Sequence, residues 1–229
     1  MKITTKLAVA IVAIQTIAYG QTIHSQPEVT FPPFTVSEGQ LDQNGFPTSG
    51  AKLCLSGTKS ICYQMPSHTL EGSNQVTYDF GLEPHSKILP LTKGGSWALF
   101  SALFSAGGSG TLTRLAILRY QGGDGGRGVL ANLLPYVGFT NVSEHDIWNL
   151  PSISPYPILV HADFIWGRNE THFSPHYYTV EAWVFDPPTD RYKRAFSYRT
   201  KKKYAGGDSE AVSVLRPERA EILRRLSTQ

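Results

Sequence analysis

The stretch Asn169–Tyr178, NETHFSPHYY, holds two histidines four residues apart and a glutamate two before the first. On a helix, such a pair presents two imidazoles to one zinc ion, with a glutamate after the first as general base. Here Pro175 lies between His172 and His176, no glutamate follows His172, and the flanks read as strands. Proline inside a helix removes a hydrogen bond and clashes with the preceding turn, so the helical zinc-protease arrangement is set aside.

As an extended chain, Glu170, His172, Ser174 and His176 share parity and line one face. Glutamate with two histidines suits zinc. His161 extends this metal-ligand set to His161, Glu170, His172 and His176, and Asp163 stands near it. Alternate strand positions lie about 7 Å apart. Adjacent members of the row can share an ion, but the whole row needs a bend at Pro175. The competing expectation is structural. His176 shares a face with Tyr178 and hydrogen-bonds a tyrosine or a carbonyl, while Glu170 pairs with His172 in a loop.

Other chemistries find little support. There is no G-x-S-x-G, and Ser109 in GGSG precedes a strand-like run, where a nucleophile elbow needs a helix. The loop Gly122–Gly128 lacks a G-K-[ST] ending and carries one acid, Asp124, so it is neither a phosphate nor a calcium loop. No two of Asp146, Asp163, Glu170, Glu181 and Asp186 are selected by spacing as an acid–base pair. Glu181 sits between Thr179 and Trp183 on one face and reads as a surface or ligand-facing residue. Arg191, Lys193, Arg199, Lys201 and Lys203 share parity opposite to Tyr192, Phe196 and Tyr198. A regular strand displays them as a basic stripe, which suits an anionic surface or protects a sheet edge. Of the tryptophans, Trp166 ends an apolar run just before GRNETH, and tryptophan beside polar groups suits a sugar ring or a protein partner. The candidate ligand-binding set is therefore Trp166, Arg168, Glu170, His172 and His176.

Strands must position these residues. Gly, Pro and aromatics are plentiful and charged residues sparse, which favours short strands and tight turns. Ser96–Ala106 and Thr111–Gln121 flank a glycine turn and read as a hairpin. Val76–Leu82, Val129–Val137, Tyr156–Trp166, His176–Asp186 and Arg191–Thr200 read as further strands, the last two joined at PPTD. Keeping aromatic faces together pairs Tyr178 with Tyr198 and Val180 with Phe196, although a two-residue slip satisfies the same rule. Pro217 and Glu218 open an amphipathic helix over about 216–227, with Ala220, Leu223 and Leu226 along one stripe and Ile222 beside it. Cys54 and Cys62, the only cysteines, sit symmetrically about a turn at Ser56–Lys59 and are expected to form a disulfide.

Residues 1–20 have the form of a secretory signal peptide: Lys2 and Lys6, an apolar run from Leu7 to Ala18, then Ala18-Tyr19-Gly20 as the cleavage site. The run is too short to span a bilayer. Removing Lys2 and Lys6 lowers the formal charge from +3 to +1, which argues against a dedicated nucleic-acid binder. Residues 21–50 read as an irregular N-terminal segment in which Val29–Phe31 and Phe34–Val36 dock locally. Residues 51–229 read as a single β-rich domain that includes the helix.

The expected fold is all-β, a sandwich of antiparallel hairpins with a short C-terminal α-helix. A propeller-like or open-barrel arrangement is the alternative. The expected function is an exported, non-catalytic binding or structural module for a sugar, a protein or an anionic surface. The alternatives are an exported metal-dependent or acid–base enzyme at Glu170, His172 and His176, with zinc as the only cofactor suggested, and anionic-surface attachment through the basic stripe.

Overall fold

The computed structural model describes residues 29–45, 47–57, 61–69, 77–105, 111–123, 128–135, 137–140, 142–171, 174–205 and 212–228. The signal-peptide segment, Ser109 and His172 lie outside the described residues.

The chain folds as successive antiparallel meanders. Strands β1 (Phe34–Ser37), β2 (Lys52–Leu55) and β3 (Cys62–Gln64) form the first sheet, with Thr35 opposite Cys54 and Cys54 opposite Cys62. The two cysteines are bonded. In the chain-entropy model, closing so short a loop contributes about 2–3 kcal/mol. Strands β4 (Ser67–Thr69) and β5 (Thr77–Asp79) make a two-stranded ribbon. Strand β5 is shorter than the expected Val76–Leu82, because Phe80 leaves the ribbon to be buried in the core beside Phe104.

The second sheet holds β6 (Leu82–Pro90), β7 (Ser96–Ser105), β8 (Thr111–Gln121), β9 (Val129–Asn132) and β10 (Val137–Thr140). Strands β9 and β10 pair with opposite ends of β8, so Val129–Val137 is a strand broken near Pro135, which has no N–H to donate. The third sheet is the meander β11 (Glu144–Trp148), β12 (Ile158–Ile165), β13 (Tyr177–Asp186) and β14 (Arg191–Arg199).

Alternation along these strands stacks the sheets. Ala98, Phe100, Ala102 and Phe104 of β7 pack with Leu53 and Leu55 of the first sheet. Trp97 points the other way and packs with Leu159, Phe185 and Tyr192 of the third sheet. The opposite face of the third sheet, with Val160, Tyr178 and Val180, meets α1 (Leu215–Leu226) through Leu215, Ile222 and Leu226. The face-to-face packing of a sandwich is thus repeated by a third sheet and closed by a helix, and no sheet closes into a barrel.

The helix is fastened by carboxylates. Glu144 of β11 accepts the backbone N–H groups of Val214 and Leu215 at 2.6 and 2.8 Å, which caps the positive helix end. Glu218 accepts the hydroxyls of Tyr198, at 2.9 Å, and of Tyr204. This rotates the buried stripe away from the expected one: Ala220 is exposed.

The β13–β14 register is the two-residue slip, with Val180 opposite Tyr198 and Ala182 opposite Phe196. A bulge then brings Arg194 opposite Trp183. One extra residue reverses side-chain parity. Tyr192 and Arg194 therefore face the second sheet, whereas Phe196 and Tyr198 face the helix. This corrects the basic stripe as a single row. Arg191 and Lys193 lie on one face of β14, Arg199 lies on the other, and Lys201 and Lys203 follow the strand end.

Candidate functional site

Two histidine–glutamate pairs occupy opposite faces of the third sheet. The first lies where β12 gives way to the loop before β13. His176 opens β13 through an isolated bridge to Tyr204, each backbone N–H donating to the other's carbonyl at 2.8 Å. Asn169 takes a left-handed turn at φ +64°, a conformation that asparagine tolerates. The turn folds Glu170 back over Gly167. A Cβ on Gly167 would stand 2.4 Å from the Glu170 carboxyl carbon, so glycine leaves room for the carboxylate.

Three groups hold that carboxylate. Lys203 Nζ donates to Oε1 at 2.5 Å, the Gly167 N–H donates to Oε2 at 2.7 Å, and His176 Nδ1 lies 2.9 Å from Oε2. The hydrogen bonds from Lys203 and His176 outweigh the loss of water and hold the Glu170 carboxyl down at about 2. His176 is buried, and its Nε2 has no hydrogen-bond partner among the described residues. The rings of Phe164 and Trp166 stand 5.0 and 5.5 Å from the imidazole. Trp166 is 53% exposed.

Several cations follow the end of β14. The Arg199 guanidinium lies 4.0 Å from the centre of the Tyr177 ring, and Lys203 Nζ lies 5.4 Å from the same ring. Lys202 sits 5.0 Å from the Tyr204 ring, and Arg168 and Lys201 are exposed. Comparison of the chain with protein-family models, curated proteins and solved structures finds no match.

The second pair is His161 Nε2 with Glu181 Oε2 at 3.0 Å, joined by Arg194, which donates to Oε1 at 2.8 Å. Strand register makes the pair, since His145, His161, Glu181 and Ser197 stand opposite one another across all four strands. Burial pushes the Glu181 carboxyl up, but His161, Arg194 and Ser197 pull it down to about 2. Glu181 is therefore the centre of an inner ion pair, where a surface or ligand-facing role was expected.

The metal-ligand set read from the sequence is corrected accordingly. His161 faces the second sheet opposite Glu181, five positions along β13 from His176, which lies with Phe164 on the helix side. His161 and His176 do not converge. Among the described residues, no three His, Cys, Asp or Glu side chains form a metal-binding group. From the ligand-binding set, Trp166, Glu170 and His176 come together, Arg168 is in the same turn, and His172 lies outside the described residues. Sequence reasoning missed the part of Tyr204 and the tie from Lys203 to Glu170. Lys203 lies 33 residues after Glu170, and Tyr204 reaches His176 through a bridge that no local pattern marks.

Proposed function

We propose that the protein is an exported, non-catalytic binding module whose ligand meets the corner at Trp166. The observation that carries this reading is the exposed indole on a loop that Glu170 pins at three points. Trp97 and Trp148, by contrast, are buried. An aromatic ring on a pre-ordered support loses little conformational freedom on binding. Covering the open part of an indole contributes about 2–3 kcal/mol at ~25 cal/mol per Å². Export is supported by the leader-like segment and by the Cys54–Cys62 disulfide, which suits an oxidising compartment. Among the described residues, no helix is long and apolar enough to cross a membrane.

The test is Trp166→Ala, assayed on a panel of glycans and envelope extracts. The expected result is an unchanged melting temperature and an affinity at least about tenfold weaker for whatever the parent binds. Undiminished binding, or loss of folding, removes the reading.

A second reading is favoured by the Glu170–His176 geometry. A carboxylate on Nδ1 with Nε2 unpartnered is how proteins orient an imidazole for a metal or for proton transfer. In that case zinc added to chelator-free protein raises the melting temperature, and His176→Ala abolishes the rise. No shift with zinc, together with no metal by elemental analysis, sinks the metal version.

A further inference from the structure

We propose that Asn169 is a modification site, the acceptor of an N-linked oligosaccharide. Asn169-Glu170-Thr171 is an N-x-S/T sequon with no proline in the middle, the pattern on which an asparagine amide is glycosylated in a secretory pathway. The leader-like residues 1–20 and the Cys54–Cys62 disulfide both suit passage through such a pathway. The inference rests on the export half of the proposed function and not on the part played by Trp166. In the transfer, Asn169 Nδ2 bonds to the anomeric carbon of a lipid-diphosphate-linked oligosaccharide. The bond from that carbon to the diphosphate oxygen breaks. The lipid diphosphate leaves with the electron pair, and Nδ2 gives up one proton to the host transferase.

A three-residue pattern is weak by itself, and the fold supplies a second condition. A bulky, hydrated sugar chain has to end on the surface of the folded protein. Asn169 is the third residue of a tight turn, Gly167–Glu170, closed by the Glu170 N–H donating to the Gly167 carbonyl at 3.4 Å. Its left-handed φ of +64° suits asparagine. Asn169 and Thr171 are both exposed, while the Glu170 side chain between them is drawn back to the Gly167 N–H, His176 and Lys203. That three-point hold on the middle residue fixes which way the sequon faces. The Asn169 amide makes no hydrogen bond among the described residues, so a sugar on Nδ2 displaces no contact of the fold. The Thr171 hydroxyl pairs with that of Ser174 at 3.1 Å at the same surface. The other sequon, at Asn141, lies outside the described residues.

The experiment expresses the full chain with its own leader in a eukaryotic host that glycosylates exported proteins. Peptides from cells and medium are mapped by mass spectrometry before and after treatment with peptide N-glycosidase. The Asn169 peptide is expected to carry an oligosaccharide mass that the enzyme removes, leaving aspartate at 169. Thr171→Ala should abolish that mass and Thr171→Ser should keep it. Asn169→Asp should also abolish it, and aspartate, unlike glutamine, is short enough to suit the left-handed turn. The near-ultraviolet circular dichroism of that variant should therefore match that of the glycosylated parent. A bare Asn169 in a chain whose leader has been removed overturns the inference and leaves the export reading standing. A chain recovered with its leader intact overturns both. A glycan that survives Thr171→Ala overturns the sequon as its cause, and dichroism that changes when the glycan is removed overturns its place on the surface.

Discussion

Replacing Trp97 by alanine is expected to lower stability by about 3–5 kcal/mol, the largest single loss available in this fold. Trp97 is fully buried between the second and third sheets. Its ring stacks on Tyr156 at 5.3 Å with 6° between planes and meets Phe185 and Tyr192 edge-on at 4.9 and 6.1 Å. Each such pair adds about 0.5–1.5 kcal/mol beyond the apolar area it buries. The surrounding rings cannot collapse into the space. They come from three separate segments, and the Tyr192 hydroxyl is bonded to the Pro157 carbonyl at 2.8 Å. The cavity therefore persists, and its cost adds to the lost transfer energy. Urea unfolding should show a lower midpoint with an unchanged slope. Trp97→Phe should recover about half of the loss, and a cost below about 1 kcal/mol for alanine would show that this interface does not hold the sheets together.

The second large effect is expected from Glu181→Gln and is read as a function of pH. The Glu181 carboxyl titrates at about 2 in the fold, against an ordinary 4.5. A depressed carboxylate stabilises the fold fully above its unfolded pKa and ceases to as pH falls through the folded one. The window is therefore from about 4.5 down to about 2. A shift of this size corresponds to about 3–4 kcal/mol. At neutral pH, glutamine leaves the buried His161 without its carboxylate and Arg194 without its partner, which costs a similar amount. Urea midpoints measured from pH 7 to pH 2 should fall less steeply in the variant than in the parent. Equal slopes would mean that Glu181 is not held low. Glu170, also at about 2, loses its charge over the same window. The Glu170→Gln variant separates its share, which should show as loosening of the Trp166 loop before global unfolding.

Much of this fold is legible in the sequence wherever burial imposes a period. Strands β7, β8, β12 and β13 carry apolar residues at alternating or continuous positions, and glycine or proline punctuates their ends. Strand β6 escapes, because LEPHSKILP lies at a sheet edge with only Leu89 buried, and its two prolines mimic a loop. Strand β1 escapes similarly. It stands at the edge of the first sheet within a Pro-rich stretch, so residues 21–50 read as irregular. The bulge in β14 leaves no mark, since Ala195, Phe196 and Tyr198 satisfy the apolar frame on either side of it. At the site, the grouping of Trp166, Glu170 and His176 in one short stretch is visible, but the left-handed turn at Asn169 that brings Glu170 onto His176 is not. The partner of His161 is hidden until register is known. Glu181 is the residue directly across from it, twenty positions on.

The stack of meanders grows along one axis, and such an array does not end by itself. A face left bare would invite the matching face of another molecule, and the chain would polymerise. Two different terminators prevent this. At one end, the outward side of the first sheet is finished with Lys52, Gln64 and the cystine, while Leu53 and Leu55 turn inward. At the other, α1 lays its apolar side on the last sheet and turns Arg216, Arg219 and Arg224 to water. The C-terminal helix is thus the stopper of a linear assembly, and its clasp is the Glu218 carboxylate gripping tyrosines from β14 and the segment beyond it.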